Sequence, residues 1–552
     1  MGLFDSLNRV GSMLVTFSRA GLLAPMRPDK YLRIAAAAAA EGGTTTTGIA
    51  MAAQRCGDRP AIIDERGTCT YAELDRRCNA LAAGLQRLPG RTPRAIALMC
   101  RNHRGFIEAL AAANRIGADV LLLNTSFAGP ALAEVVAREG VDLIFYDEEF
   151  TAAVDLAVPV DSGCTRVVSW TDTKVPGLTA DELIDANAGR RPAKASRSGK
   201  LVMLTSGTTG TPKGARRSGR GGGGIADLQA IFDRIPWHTE ETVVIAAPMF
   251  HAWGFSQLAL ALTMACTIAT RRKFDPEATL ELIESNHATG LCVVPVMFDR
   301  IMALPENIRA QYPCKSLRFA TASGSRMHPD VVTAFMDTFG DVVYNNYNAT
   351  EAGMIALATP QDLRYSPDTA GRPAPGSEIR ILDADFVEVP AGVTGQIFVR
   401  NSSQFDGYTG GDSKMFHDGF MASGDLGYFD DTGRLFVVGR DDEMIVSGGE
   451  NVYPIETEKA LITHGAVAEA AVIGVDDADY GQRLVAFVVL TPGASASPDE
   501  LKQHVRENLA GYKVPRDITI MDALPRNNTG KVLRRELQAL AGPEAADSPA
   551  PR

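Results

Sequence analysis

At 552 residues, 45% hydrophobic and 22% charged, the chain has the make-up of a folded protein long enough for two or more domains. Its net charge of −11 argues against nonspecific nucleic-acid binding, where a basic face is expected, and leaves room for a local basic patch toward an anionic cofactor; no nucleic-acid partner is expected. Its eight cysteines stand singly, with no C-x-x-C pair, and its eight histidines are equally scattered; this predicts neither a disulfide framework nor a transition-metal cluster, and it suits a reducing, cytoplasmic setting.

The first predicted element is a helix. Leu3, Leu7, Val10, Leu14 and Phe17 recur at helical spacing, with Phe4 and Met13 beside them, opposite Asp5, Asn8, Arg9, Ser12 and Arg19. Such a helix either packs on the main body or lies in a membrane interface through residues 3–17, at the inner face of the membrane for a cytoplasmic protein. Charges interrupting the stripe argue against a cleaved signal. Residues 35–40, all alanine, and 41–47 read as low-complexity linkage, so 1–47 forms an extension. The longest apolar stretch, 258–270, falls short of the roughly 20 residues a spanning helix needs, and it reads as buried core.

From Gly48 onward, apolar runs at 141–146, 166–170, 201–204, 243–247, 290–296 and 317–321 read as buried strands. Helical patterns such as 278–287 and 330–339 lie between them. This alternation predicts an α/β domain over 48–441, with parallel sheets covered by helices. Over 376–441 the texture shifts to short strands, such as 395–399 and 435–438, among Gly and Asp turns, which reads as a β-rich subdomain. Beyond it, 456–463 reads as a helix, 467–475 and 483–490 as strands, and 497–510 as a capped helix. These make a small α+β module over 442–541, followed by a Pro- and Ala-rich tail at 542–552 expected to be disordered.

The strongest local signal follows the strand at 201–204: Thr205-Ser206-Gly207-Thr208-Thr209-Gly210-Thr211-Pro212-Lys213-Gly214. Glycines let backbone N–H groups close on an anion, hydroxyls donate further hydrogen bonds, and Lys213 supplies charge. The loop suits a polyphosphate, yet it is not a Walker loop. Pro212 stands where the second glycine belongs, and Gly214 where Ser or Thr would follow the lysine.

These residues fit the phosphate loop [ST]-[ST]-G-[ST]-T-G-x-P-K-G without a gap. From about Gly48 to Leu537 the chain resembles the acyl-adenylate-forming superfamily, in its acyl-CoA synthetase branch. Further motifs follow in the family's order. Pro248-Met249-Phe250-His251-Ala252-Trp253-Gly254 resembles the second motif, in which His251 borders the acyl pocket with Trp253; alone, His251 would read as a core histidine. Phe298, close behind Pro295 and Met297, adds an apolar wall. Ser323 and Gly324 occupy the strand end that lines nucleotide and acyl group.

In Tyr347-Asn348-Ala349-Thr350-Glu351, similar to the family's Y-G-x-T-E, the resemblance gives Tyr347 to adenine and Thr350 to the α-phosphate. It gives Glu351, with Thr205, to Mg²⁺. Asn348 departs from the usual glycine, a change that a left-handed turn would tolerate. Ser423-Gly424-Asp425 supplies Asp425 to both ribose hydroxyls, and Arg440 also reaches the ribose. Asp442 falls at the family's hinge. Gly448 and Gly449 leave room for the pantetheine arm of coenzyme A. In Pro525-Arg526-Asn527-Asn528-Thr529-Gly530-Lys531, Lys531 bridges the substrate carboxylate and the α-phosphate.

The resemblance thus implies that Mg²⁺-bound ATP activates a carboxylic acid to acyl-AMP, which then passes to coenzyme A. The general likeness is to bacterial medium- to long-chain fatty acyl-CoA synthetases, so a fatty acid is the expected substrate. The chain ends soon after Lys531, which favours a ligase without a fused carrier domain. Two alternatives stay open: a ligase that loads an acyl carrier protein, and a nucleotide-binding regulator that has lost catalysis. Arg216, Arg217 and Arg220, among the glycines of 215–224, either stand solvated or meet phosphates.

Overall fold

The computed structural model describes residues 3–42, 44–127, 129–159, 161–205, 213–215, 223–349, 351–405, 414–440, 445–447, 450–477, 481–527 and 530–541. Two compact units share the chain. One comprises Met1–Asp368, Ala374–Ser377 and Asn401–Ser413; the other comprises Thr369–Pro373, Glu378–Arg400 and Lys414–Arg552. The β-rich segments around 378–440 therefore group with the C-terminal residues, whereas the sequence suggested a division at 442.

The first unit holds two sheets. One runs Leu178–Thr179, Thr165–Trp170, Leu143–Asp147, Ala95–Met99, Asp119–Leu122, Leu201–Thr205 and Lys213–Ala215, parallel except for the last pair. Its strands read as near-continuous apolar runs because both faces are covered. Ile96, Leu98, Val120 and Phe145 pack with Leu74, Phe106 and Leu110 on one side. Ala97, Met99, Leu121 and Ile144 pack with Leu132, Val135 and Val154 on the other.

The second sheet runs Gly353–Ala358, Val343–Ala349, Phe319–Ala322, Gly290–Val293, Thr242–Ile245, Thr267–Ala269, Pro60–Asp64 and Gly67–Thr70. Its interior strands are parallel, and the pairs Val343–Ala349 with Gly353–Ala358 and Pro60–Asp64 with Gly67–Thr70 are antiparallel. Val243, Ile245 and Phe319 continue the first core cluster, while Val244, Leu291, Val293 and Ala320 meet Leu280, Phe298 and Phe335 on the opposite face.

Two local expectations change. The strand expected over 290–296 stops at Val293, because Pro295 opens the helix Pro295–Met302, where its fixed φ fits the first turn. The alanine run expected as linkage is the body of the helix Pro28–Glu41, with left-handed Gly42 capping it through a bond to the Ala38 carbonyl. Alanine has the strongest helix propensity, and here it outweighs the low-complexity appearance.

The N-terminal helix forms over Leu3–Arg19 and packs on the body through one edge. Thr16 Oγ1 donates to Asp233 Oδ1 at 2.5 Å, Gln229 Nε2 donates to Ser12 Oγ at 3.1 Å, and Phe17 meets Phe232 edge-on. Leu14 and Val15 stay about half exposed, at 50% and 51%, so the packed edge is not the whole apolar stripe.

The two sheets of this unit are tied by an ion pair. Asp64 ends its strand fully buried, and the Arg104 side chain at the start of the helix Arg104–Arg115 grips both its oxygens, at 2.6 and 2.9 Å. Removing one partner of such a pair strands the other charge in a low-dielectric interior. Asp64→Ala is therefore expected to destabilise the unit by about 3–5 kcal/mol. An earlier urea transition of the full chain would show this, and the apolar double variant Asp64→Leu/Arg104→Met should recover most of the loss.

The second unit contains an antiparallel sheet of Glu378–Leu382, Gly395–Arg400, Phe420–Phe429, Phe416–His417 and Leu435–Arg440. Its other sheet joins Glu450–Val452, Ile445–Ser447, Gly481–Leu490, Val467–Asp477 and Asp517–Ile520. Alternation along one strand sorts this second core: Leu484, Ala486 and Val488 face Leu461, Leu501 and Val505, while Val485 and Phe487 face Leu524 and Leu537. The helix Pro498–Asn508 starts at a full capping box of Ser497 and Glu500. The tail at 542–552 lies outside the described residues.

Candidate adenylation site

The candidate phosphate loop is flanked by two paired strands. Leu201–Thr205 leaves the parallel sheet at its C-terminal edge, and Lys213–Ala215 returns antiparallel with Thr205 opposite Lys213. Ser206, Gly207, Thr208, Thr209 and Gly210, in the connection, lie outside the described residues, as do Arg216, Arg217 and Arg220.

Open α/β sheets bind ligands beyond the carboxyl ends of their strands, and the other sheet collects its candidates there. Ser323 follows Phe319–Ala322 and is buried, and Gly324 then takes φ +104°, a conformation that favours glycine. Tyr347 lies near the end of the neighbouring strand Val343–Ala349, and Glu351 follows in the turn to Gly353–Ala358, its carbonyl accepting from Phe405 N at 2.8 Å. Thr350 lies outside the described residues.

His251 caps the N-terminus of the helix Ala252–Thr263 with extended backbone. Two residues on, the Trp253 indole is buried and donates to the Val293 carbonyl at 2.8 Å, which fixes it at the end of Gly290–Val293. Phe298 is enclosed: it is 1% exposed and stacks edge-on against Phe335 at 4.7 Å, the setting of a core residue.

Asn348 does not sit in a left-handed turn. It is part of the strand, opposite Met354, and the register shifts between Tyr347 and Asn348. A bulge of this kind re-aims side chains, and it houses asparagine where the motif has glycine without positive φ. Asn348 Nδ2 donates to Ser323 Oγ at 3.3 Å, whereas its buried carboxamide oxygen has no hydrogen-bond partner among the described residues. Asparagine at this position departs from the motif's glycine, a departure visible in the sequence, whereas the oxygen's lack of a partner among the described residues is visible only in the fold.

In the second unit, Asp425 and Arg440 stand opposite each other on adjacent strands, with Arg440 NH1 3.3 Å from Asp425 Oδ1. Gly424 takes φ +85° beside them, and the Ser423 hydroxyl accepts from Asp425 N at 3.1 Å. Lys414, which sequence reasoning did not single out, donates to the Ser423 carbonyl at 3.4 Å.

Asp442 lies outside the described residues, as do Gly448 and Gly449, the connection left by the pairing of Ser447 with Glu450. Lys531 is exposed on a braced loop. Its N–H donates to Asn527 Oδ1, its carbonyl accepts from Asn527 N, and Arg526 binds both the Gly530 carbonyl and Glu469.

The fold also gathers Cys100, His103 and Asp147, a trio that the scattered sequence positions do not show. His103 Nδ1 accepts from Gly105 N, and Nε2 lies 2.8 Å from Asp147 Oδ1, so both ring nitrogens are already engaged. Burial pushes the Cys100 thiol well above its ordinary range, away from the thiolate that binds metals. The trio serves as a buried brace at the start of Arg104–Arg115.

With this geometry the chain is a member of the AMP-binding enzyme family. It matches that family over residues 49–409, and the AMP-binding enzyme C-terminal domain over 456–531. Within the family it falls in the acyl-CoA synthetase branch. It is 31% identical over 482 residues to an indoleacetate–CoA ligase of Aromatoleum aromaticum, covering 85% of this chain and 93% of the relative. A fatty acid–[acyl-carrier-protein] ligase of Streptomyces coeruleorubidus is 29% identical over 491 residues, covering 87% and 93%. The solved structure of o-succinylbenzoate CoA synthetase from Bacillus subtilis, in complex with its acyl-adenylate intermediate, superposes with a TM-score of 0.74 at 27% identity, covering 89% of this chain and 97% of that one. The chain is thus an AMP-forming acid ligase, working through an acyl-adenylate.

Proposed function

We propose that the protein activates a fatty acid with ATP to acyl-AMP and transfers the acyl group to coenzyme A, releasing AMP and pyrophosphate. The carrying observation is the strand pairing that sets Thr205 opposite Lys213 across a Gly-, Ser- and Thr-rich connection, on a chain matching the AMP-binding enzyme family.

The carboxylate attacks the α-phosphorus in line, and pyrophosphate leaves. Two anions meet in this step, so Lys213 and Lys531 neutralise the crowded oxygens as charge builds. Mg²⁺ arrives with ATP, and the Glu351 carboxylate is the hard oxygen donor suited to it, together with Thr205. Tyr347 takes the adenine, Thr350 the α-phosphate, and Asp425 with Arg440 the ribose. In the second step the thiolate of coenzyme A attacks the acyl carbonyl and AMP leaves, with Gly448 and Gly449 admitting the pantetheine arm. Asp442 is the hinge between the steps, so Asp442→Pro, with φ fixed, should slow thioester formation far more than pyrophosphate release; equal slowing would count against the hinge.

Trp253 and Met297, buried in one apolar cluster, support an apolar acyl pocket. The likeness to a fatty acid ligase supports a fatty acid, and the half-exposed Leu14 and Val15 support contact of the N-terminal helix with a membrane holding such acids. A second reading, an aryl-substituted acid, is favoured by relatives named for indoleacetate, ferulate and 2-succinylbenzoate. Measuring kcat/KM for thioester formation across fatty acids of graded length and these aryl acids decides between the two. Acylation of a carrier protein in place of coenzyme A would overturn the acceptor.

A further inference from the structure

Among the described residues the buried carboxamide oxygen of Asn348 has no hydrogen-bond partner, and it stands beside two candidate substrate contacts, Tyr347 and Ser323. Leaving an amide oxygen buried and unpaired costs about 1–3 kcal/mol, and such groups persist where something else completes them. Asn346, two residues earlier, shows the contrast. It reaches the same neighbouring strand end, but its Nδ2 is satisfied by Thr321 Oγ1 at 2.6 Å and by the Ala322 carbonyl at 3.2 Å. Among the described residues the Asn348 side chain has one long bond, 3.3 Å to Ser323 Oγ, so its carboxamide can turn toward a ligand. Glycine at this motif position offers no side chain at all, whereas here an asparagine stands at a register shift between Tyr347 and Asn348.

We propose that the Asn348 carboxamide oxygen accepts a hydrogen bond from a donor on the bound acyl-adenylate, making Asn348 a specificity residue. The proposal rests on reading this strand end as the adenylation site. The donor is either the exocyclic amino group of adenine or a hydroxyl on the acid. Either way, a ligand lacking the donor leaves the oxygen unpaired in the complex and is rejected.

The test compares full-length wild type with Asn348→Gly in acid-dependent pyrophosphate release. One arm takes the kcat/KM ratio of ATP to purine riboside triphosphate, which lacks only the amino group. The other takes the ratio of hydroxylated acids to their parents, 3-hydroxydecanoate against decanoate and 4-hydroxycinnamate against cinnamate. Wild type should prefer the donor-bearing ligand by about tenfold or more in one arm, and the variant should lose that preference; the arm that responds identifies the donor. An unchanged ratio in both arms overturns the role of Asn348. If the variant does not fold, wild type still decides, since lack of preference in both arms is equally fatal. Pyrophosphate release without discrimination refutes only this proposal, whereas no acid-dependent release from wild type overturns the site reading as well.

Discussion

Replacing Lys531 by alanine is expected to lower the rate of acyl-adenylate formation by at least about a hundredfold, the scale of losing one preorganised charge-stabilising donor. Thioester formation from a supplied acyl-adenylate should stay largely intact. The loop explains why the variant is clean. Lys531 is held by backbone bonds to Asn527, and Arg526 braces Gly530 against Glu469, so truncating an exposed side chain removes the charge and leaves the frame. A stopped assay of each half-reaction reads the effect. Equal loss in both would assign Lys531 a structural role instead.

Asp425→Ala is expected to raise the KM for ATP about a hundredfold. The proposed role gives Asp425 two charge-assisted hydrogen bonds to the ribose, which at about 1.5 kcal/mol each come to about 3 kcal/mol, and every 1.4 kcal/mol is tenfold. Removing Asp425 also leaves Arg440 without the carboxylate 3.3 Å away. A second nucleotide separates these effects. Wild type should discriminate against 2′-deoxy-ATP, and the variant should not. An Asp425→Ala enzyme that still disfavours the deoxy nucleotide would show that Asp425 serves the Arg440 pair alone.

Much of the architecture was legible because parallel strands covered on both faces leave runs such as Val243-Val244-Ile245, which composition alone marks as buried. The capped helix after Ser497 was legible because its side chains satisfy its own backbone. What escaped depended on context. The alanine run at 35–40 looks featureless, yet it is helical and docks against Thr47–Cys56. Residues 294–296 are apolar enough for a strand, but Pro295 diverts them.

The same divide runs through the site. The motif residues can be read one by one, since each carries its chemistry in its own side chain. The pairing of Asp425 with Arg440, the enclosure of Phe298 and the Asn348 oxygen without a partner among the described residues arise only from strand register and packing. Local spacing also gave no sign that Cys100, His103 and Asp147 would meet, because they converge from different strands of one sheet.

The most direct test is acid-dependent exchange of labelled pyrophosphate into ATP by the full-length wild-type protein with Mg²⁺ and without coenzyme A. Reversible acyl-adenylate formation predicts exchange that requires a carboxylic acid and, once coenzyme A is added, AMP rather than ADP as the product. Exchange indifferent to every acid, or turnover to ADP and phosphate, would contradict it.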